Sequence, residues 1–194
     1  MAADVSRRGA AHGGGALRLP PLRTVRVRRA RPADAEAIRA IHLAAFPTDA
    51  EAWLVERLRA KGRLCLSLVA QVGRGIAGHV AFSRVRGGAA GLGLAPLAVA
   101  PAWQRRGIGG RLVRDGLALC ARMGYRYAVV LGDPAYYRRF GFVPGTRYGL
   151  ANEYGAGDPF MVIALAPDGL PRPGTLVRFG LEFAAAVRRE GRGR

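Results

Sequence analysis

Residues 104–110, Gln-Arg-Arg-Gly-Ile-Gly-Gly, stand between an apolar run that is typical of a strand, residues 92–99, and a run with helical periodicity, residues 108–123. This order of strand, glycine-rich turn and helix limits the fold more than any other feature of the chain. The first amides of a helix have no intrahelical partner and point into the turn before them. Glycine lets a bound group approach the backbone, and arginine supplies forked, positively charged donors. The sequence therefore predicts an anion-binding loop whose size suits a diphosphate.

The spacing of this loop differs from two better-known phosphate loops. A Gly-x-x-x-x-Gly-Lys-Ser/Thr loop needs a lysine, and Lys61 is the only lysine in the chain. A dinucleotide fingerprint has three glycines at another spacing and an acidic residue about 20 positions later. The alternative to an anion-binding loop is a turn that binds no ligand, because glycine-rich turns before helices are common.

Pro96 lies inside the apolar run that precedes the loop. A residue without an N–H interrupts the hydrogen-bond ladder of a sheet, so it belongs at a strand edge or at a bulge. We therefore expect the strand before the loop to be irregular at Pro96.

Hydrophobic periodicity predicts the remaining elements. They are a strand at 24–29, a helix at 34–45 with Asp34 as cap or dipole partner, a helix that Thr48 or Asp49 caps and that ends near Gly62, a hairpin of strands at 64–72 and 76–85, and strands at 127–131, 159–166 and, weakly, 176–179. Strands and helices in this order, with a long antiparallel start, indicate a mixed α+β sheet and not a doubly wound parallel one.

Two motifs resemble those of one known family. Together with residues 97–101, Leu-Ala-Val-Ala-Pro, the pattern Gln/Arg-x-x-Gly-x-Gly/Ala resembles the pyrophosphate-binding motif of the GNAT superfamily of acyl-CoA N-acyltransferases. Residues 132–142, Gly-Asp-Pro-Ala-Tyr-Tyr-Arg-Arg-Phe-Gly-Phe, resemble its short fourth helix and are similar to its YhbS-like subgroup. The resemblance covers about residues 25–165. It implies a mainly antiparallel central sheet of about six to seven strands flanked by helices, with splayed central strands that hold acetyl-CoA.

The resemblance also implies site residues. Backbone amides of the bulged strand would contact the pantetheine arm and the thioester carbonyl, and Tyr137 would donate to the CoA sulfur while Tyr136 faces away. A core aromatic is the alternative for Tyr137. The implied cofactor-binding residues are Leu97, Ala98, Val99, Gln104, Arg105, Arg106, Gly107, Ile108, Gly109, Gly110 and Tyr137.

The general base has no clear candidate on the strand before the loop, since residues 91–99 contain no acid. Glu51, near the mouth that the resemblance implies, could accept the amine proton directly or through water. A solvated residue in the first turn of a helix is the alternative for Glu51. His79 and Ser83 are weaker candidates. We find no metal-ligand spacing and no nucleophile beside a base, so direct attack by a primary amine without a metal is expected.

Bulk composition predicts one domain. The chain has 194 residues, of which 50% are hydrophobic, enough for one core. No apolar run approaches the length of a membrane span. Cys65 and Cys120 lack CxxC spacing and are expected to be buried free thiols, which suits a reducing cytoplasm.

The formal net charge of +18 is concentrated at the two ends of the chain. Residues 1–22 lack a hydrophobic period and are expected to be a disordered basic tail, followed by the N-acetyltransferase domain at 23–167 and a partly ordered C-terminal extension at 168–194.

An arginine-rich tail can contact nucleic acid nonspecifically. The alternative function is therefore a non-catalytic acyl-CoA-binding module that such a tail tethers to nucleic acid. An organellar presequence is a further alternative for the tail. Either a monomer or a homodimer fits the sequence.

Overall fold

The structure, a computed structural model, describes residues 24–192, so the predicted basic tail lies outside the described residues. The helices are α1 (Ala35–Ala45), α2 (Ala50–Ala60), α3 (Ile108–Arg122), α4 (Pro134–Tyr137) and α5 (Leu181–Arg192). The strands are β1 (Val25–Arg29), β2 (Leu64–Val72), β3 (Gly75–Val85), β4 (Gly91–Val99), β5 (Tyr127–Leu131), β6 (Val143–Pro144), β7 (Ala151–Asn152), β8 (Phe160–Ala164) and β9 (Leu176–Val177).

Seven of the described strands form one sheet in the order β1-β2-β3-β4-β5-β8-β6. Neighbouring strands are antiparallel except for β4 and β5, which are parallel. The short strands β7 and β9 form a separate parallel pair. The predicted α+β class, with a mainly antiparallel sheet of six to seven strands, is confirmed.

Strands β4 and β5 pair at one end and separate at the other. Their register runs only from the pair Gly91 and Tyr127 to the pair Gly93 and Val129. On the other side of β4, the register against β3 shifts at Pro96, where two residues of β4 lie opposite one residue of β3. This is a β-bulge, which bends its strand away from its neighbour. The irregularity predicted from Pro96 is confirmed, and it coincides with an opening between the two central strands.

Helices cover both faces of the sheet. On one face, α3 buries Leu112 and Val113 against Leu68 and Phe82 of the central strands. On the other face, α2 and α5 pack with Val129 and Phe160, and α1 completes this layer. The apolar sides of α1, α2, α3 and α5 therefore face the sheet, and the gap between the central strands β4 and β5 stays open.

Three local expectations need correction. Asp34 is buried at the N-cap position of α1, but its side chain makes no capping hydrogen bond. Its carboxylate instead pairs with Arg28 (2.7 and 2.9 Å) and accepts from the Arg31 amide (2.7 Å), and its role as partner of the helix dipole stays a prediction. Cys120 is buried, as expected, whereas Cys65 is only half-buried because it lines an open cavity beside Tyr125. The helix α5 was not predicted.

Candidate active site

The loop at 104–110 forms one wall of a cleft of about 660 Å³ at the start of α3. Arg105 (φ 55°) and Gly107 (φ 82°) adopt left-handed backbone conformations, which turn the chain into the helix. The Arg111 amide donates to the Gly107 carbonyl (3.0 Å). The amides of the first helical residues, 108–110, precede this bond and lack an intrahelical acceptor. Ile108, Gly109 and Gly110 all line the cleft, so the geometry fits the predicted anion cradle.

At Gly109 the backbone of the cradle lies close to the side chains of Tyr136 and Val99. A Cβ atom there would lie 2.7 Å from the Tyr136 hydroxyl oxygen and 3.5 Å from the Val99 side chain. Gln104 ties the loop to the end of β4, because its Nε2 donates to the Val99 carbonyl (3.0 Å). The loop, β4 and α4 therefore meet at one place, and only glycine leaves open space there.

Among residues 24–192, three arginines line the cleft: Arg105, Arg114 and Arg139. Arg139 lies over the Tyr136 ring (4.0 Å from Cζ to the ring centroid) and donates to the Tyr136 carbonyl (2.8 Å). Arg106 instead lies over the Trp103 ring (4.9 Å) and is not part of the cleft lining.

Sequence reasoning missed Arg114 and Arg139. Arg114 could have been found from its spacing, because it stands four residues after Gly110 and so lies on the same face of α3. Arg139 reaches the cleft only through the fold of α4, which no local pattern reveals.

A second cavity of about 530 Å³ opens where β4 and β5 separate. Its walls come from β4, the end of β5, α2, α4 and α5. The lining residues are Phe46, Ala50, Glu51, Leu54, Leu94, Ala95, Pro96, Leu97, Val130, Leu131, Gly132, Asp133, Tyr136, Tyr137, Phe183, Ala186 and Val187. Tyr136 lines both this cavity and the anion cleft, so the two spaces adjoin at its ring.

Backbone amides of β4 alternate between its two neighbours. The Ala100 amide donates to the Ala77 carbonyl of the β3 side (2.9 Å), and Val99 stands opposite Gly78. In an antiparallel ladder, residues that bond to one neighbour alternate with residues that point away from it. Leu97 and Val99 therefore direct their amides toward the opening beside β5, whereas Ala98 directs its amide toward β3.

Tyr137 lines the second cavity while remaining only 9% exposed. Its ring packs edge-on against Tyr136 and Phe142, with centroid distances of 5.0 and 5.6 Å. The Tyr137 ring also lies against the backbone of Gly132. A Cβ atom there would come within 2.5 Å of the ring, so the ring has this position only because residue 132 is glycine. Burial raises the pKa of the Tyr137 hydroxyl, so the phenol is a proton donor at neutral pH.

The expectation that Tyr136 faces away from the site is wrong. Tyr136 is half-buried and lines both spaces, because α4 is a single turn whose consecutive side chains both reach the opening. Tyr136 therefore cannot serve as an uninvolved neighbour of Tyr137.

Glu51 lies in the first turn of α2 and lines the same cavity as Tyr137. The weaker base candidates lie elsewhere. His79 is fully buried, where its ring nitrogens contact His42 Nε2 (2.9 Å) and Ser67 Oγ (2.9 Å). Ser83 is buried beside a different cavity, at the end of β3. Of the acids and bases singled out from the sequence, the structure brings only Glu51 and Tyr137 to one space.

Residues 24–192 contain no group of three or more His, Cys, Asp or Glu side chains that could hold a metal ion. None of the helices in that range combines the length and apolar character that a bilayer crossing requires.

Comparison with known proteins agrees with this geometry. Residues 63–144 match the family model described as the acetyltransferase (GNAT) domain. The chain is 40% identical over 157 residues to YhbS, an uncharacterized N-acetyltransferase of Escherichia coli strain K12, and the match covers 78% of this chain and 94% of YhbS.

Two solved structures extend the similarity to three dimensions. The crystal structure of E. coli YhbS in complex with CoA has a TM-score of 0.79 and 38% identity, and the match covers 83% of this chain and 92% of YhbS. A GNAT family acetyltransferase from Brucella melitensis in complex with acetyl-CoA has a TM-score of 0.68 and 38% identity, with 82% of this chain and 97% of that chain covered. On this similarity of sequence and fold, the chain belongs to the GNAT family of N-acetyltransferases.

Proposed function

We propose that this protein transfers the acetyl group of acetyl-CoA to a primary amine by direct attack of the amine. The observation that carries the proposal is the junction at Tyr136, where an arginine-lined anion cleft adjoins a cavity that contains a buried phenol and a carboxylate, Tyr137 and Glu51. One space suits the diphosphate end of CoA, and the other holds groups that can move protons.

The residues present fit acetyl-CoA. The open amides of residues 108–110 and the guanidinium groups of Arg105, Arg114 and Arg139 suit the phosphates. The relatives from E. coli and B. melitensis were solved with CoA and acetyl-CoA, which supports this ligand. The proposed cofactor-binding residues are Leu97, Val99, Gln104, Arg105, Gly107, Ile108, Gly109, Gly110, Arg114, Tyr137 and Arg139. Ala98, whose amide faces β3, and Arg106, which lies over the Trp103 ring, line neither space.

Each group in the second cavity has a proposed role. Acetyl-CoA, when bound, supplies an acetyl group activated as a thioester. The amides of Leu97 and Val99, which face the opening, donate to the carbonyl oxygen as negative charge develops on it. Tyr137 gives its proton to the leaving sulfur. Glu51 takes the proton that the amine must lose, directly or through water.

The test is an acceptor screen of the full-length protein with acetyl-CoA against primary amines and peptides. We expect release of the CoA thiol together with an N-acetylated product that mass spectrometry identifies. Tight binding of acetyl-CoA without turnover on any amine would contradict the proposal. That result would favour the non-catalytic acyl-CoA-binding module.

A further inference from the structure

A third cavity, of about 630 Å³, lies at the other end of the central strands from the two spaces described above. Gly78 of β3 stands opposite Val99, which lines the anion cleft, whereas Ser83, which lines the third cavity, stands opposite Gly93. These two positions on β3 are about 17 Å apart, at roughly 3.4 Å per residue. None of the described residues that line the third cavity also lines the anion cleft or the cavity at the splayed strands.

The third cavity reaches both faces of β3, because the neighbouring strand β2 begins there. Leu64, the first residue of β2, stands opposite Ser83, so Arg84 and Arg86 lie beyond the end of β2. Successive side chains of a strand leave opposite faces of the sheet, and at this edge both Ser83 and Arg84 line one space.

The charge around the third cavity is positive. Arg63, Arg84 and Arg86 line it, and no Asp or Glu of the described residues does. Arg63 pairs with Glu182, which lies just outside the lining (3.0 Å). In the part of the chain that the structure describes, neither Arg84 nor Arg86 forms an ion pair with a carboxylate. Cationic groups around one concave surface attract an anion more strongly than separate surface charges do.

Tyr125 and Cys65 stand beside Arg84 in this cavity. The hydrogen bond with Tyr125 raises the pKa of the Arg84 guanidinium, and burial raises the pKa of the Tyr125 hydroxyl. The phenol is therefore neutral at physiological pH and leaves the charge of Arg84 in place. Cys65 is half-buried and lines the cavity, whereas Cys120 is fully buried, so only the Cys65 thiol is accessible from this space.

Ser83 distinguishes the third cavity from a group of surface arginines. Its side chain lines the cavity and is only 2% exposed, and its Oγ has no hydrogen-bond partner among residues 24–192. Buried hydroxyl groups in folded proteins almost always have a partner, because leaving one unpaired is costly. An oxygen atom of a ligand in the cavity would supply the partner that Ser83 lacks.

Part of the lining is apolar. Leu58 and Phe179 are buried beside the cavity, and Leu181 lines it while remaining 71% exposed. A ligand that covered Leu181 would gain free energy by removing hydrocarbon from water. The cavity thus combines apolar surface, positive charge and an unpaired hydroxyl donor.

We propose that the third cavity binds a small organic oxyanion, a phosphate or carboxylate group on an apolar body, at a site separate from that of acetyl-CoA. The arginines attract the oxyanion, and the Ser83 hydroxyl donates to a ligand oxygen. The apolar body lies against Leu58, Phe179 and Leu181. The proposal does not depend on acetyl transfer.

Calorimetry with phenyl phosphate tests the site in the full-length protein saturated with CoA, which fills the anion cleft. We expect one further binding site, whose affinity Arg86→Gln lowers about threefold, the scale of one exposed charge pair. Arg74→Gln is the matched control, because Arg74 removes the same charge at the opposite end of the β2–β3 hairpin and lines none of the three cavities. Inorganic phosphate and benzyl alcohol, which each lack one half of the ligand, should bind more weakly.

Two calorimetric results would overturn the proposal. Loss of phenyl phosphate binding when CoA is added would assign that binding to the anion cleft. Equal affinities in Arg86→Gln and Arg74→Gln would show that the anion responds to the net charge of the protein and not to this cavity.

Ser83→Ala separates a ligand contact from a structural hydroxyl. The variant should weaken phenyl phosphate binding about tenfold, the scale of one hydrogen bond to a charged group, and should leave the free energy of unfolding unchanged without ligand. Lower stability of Ser83→Ala in urea denaturation, with unchanged phenyl phosphate affinity, would contradict the proposed contact.

Cys65 gives a readout from within the cavity. Its thiolate attacks dithiobisnitrobenzoate, an aromatic disulfide with two carboxylates, and forms a mixed disulfide while thionitrobenzoate leaves. Arg86→Gln should slow this reaction about threefold and leave the reaction with the neutral disulfide dithiodipyridine unchanged. Phenyl phosphate should protect Cys65 from both reagents, and Cys65→Ser supplies the background rate. Equal slowing with both reagents, or no protection by phenyl phosphate, would place the oxyanion outside the third cavity.

Discussion

A Cβ atom at Gly109 would lie 2.7 Å from the Tyr136 hydroxyl oxygen, so any side chain there must displace the end of Tyr136. We expect Gly109→Asp to weaken CoA binding by on the order of 10²-fold, because it adds a carboxylate where we propose that the diphosphate binds and so displaces charge-assisted hydrogen bonds. Calorimetry with CoA on the folded variant measures the change in affinity. Gly157→Asp is the control, because a Cβ atom there meets nothing within 4 Å. Unchanged affinity in Gly109→Asp would place the diphosphate elsewhere.

The buried pair of His42 and His79 gives the fold a dependence on pH. Burial lowers the pKa of His42 to about 4, and burial, His42 and Arg59 lower the pKa of His79 well below its usual value. Both imidazoles are thus neutral in the folded protein at pH values where the unfolded chain binds protons. Stability is complete above the unfolded pKa of about 6.5 and falls as the pH drops below it.

From this linkage we expect the free energy of unfolding to fall by about 2 kcal/mol for each of the two histidines between pH 7.5 and pH 5. Urea denaturation at the two pH values measures the change. Asp34, whose pKa is lowered to about 2, affects stability only below this window. His42→Gln should reduce the pH dependence by about half. Equal stability of the natural protein at both pH values would show that the pair is not neutral and buried.

At the scale of elements, local patterns predicted the loop and α3, because a helical period and a glycine-rich turn depend only on residues that are close together in the sequence. Pro96 likewise marked the bulge of β4, since the missing N–H is a property of the residue itself. The positions of Tyr136 and Arg139 at the cleft could not be predicted, because they depend on how α4 and the turn after it lie between two cavities. The helix α5 was missed for a related reason: its apolar residues have meaning only against α2.

The packing of α5 leads to a prediction about stability. Phe183 is buried against Phe179, and Phe183→Ala should lower the free energy of unfolding by about 3 kcal/mol through lost burial and a residual cavity. Leu181→Ala on the same helix should cost less than about 0.5 kcal/mol, because Leu181 is exposed. Denaturant unfolding of both variants is the measurement. Similar stabilities would mean that α5 is not docked in solution.

At the scale of the whole molecule, the division into a tail at 1–22, a domain at 23–167 and an extension at 168–194 stays a prediction, as does the cytoplasmic location. Strand β9 and helix α5, which belong to the predicted extension, pair with β7 and pack against α2. The extension therefore contributes Val177, Phe179 and Phe183 to the core beside the second cavity.

The composition of the tail predicts that it adds charge without adding stability. Deleting residues 1–22 should leave the melting temperature and acetyl-CoA affinity nearly unchanged, since that segment has no hydrophobic period that would give a helix or strand an apolar face. Any nonspecific binding of nucleic acid, and its dependence on salt, should become weaker. Thermal unfolding and salt titrations compare the two proteins. A large loss of stability would mean that the segment docks onto the domain.

The central claim is that the cavity at the splayed strands performs catalysis, and Tyr137→Phe tests it most directly. A phenol at the leaving sulfur acts only as charge develops in the transition state, so its loss affects turnover more than ground-state binding. With an accepted amine, kcat should fall by on the order of 10²-fold while the Kd of acetyl-CoA stays within a few fold. Tyr148→Phe, at an exposed position that lines neither cavity, is the control. An unchanged kcat in Tyr137→Phe would contradict the account.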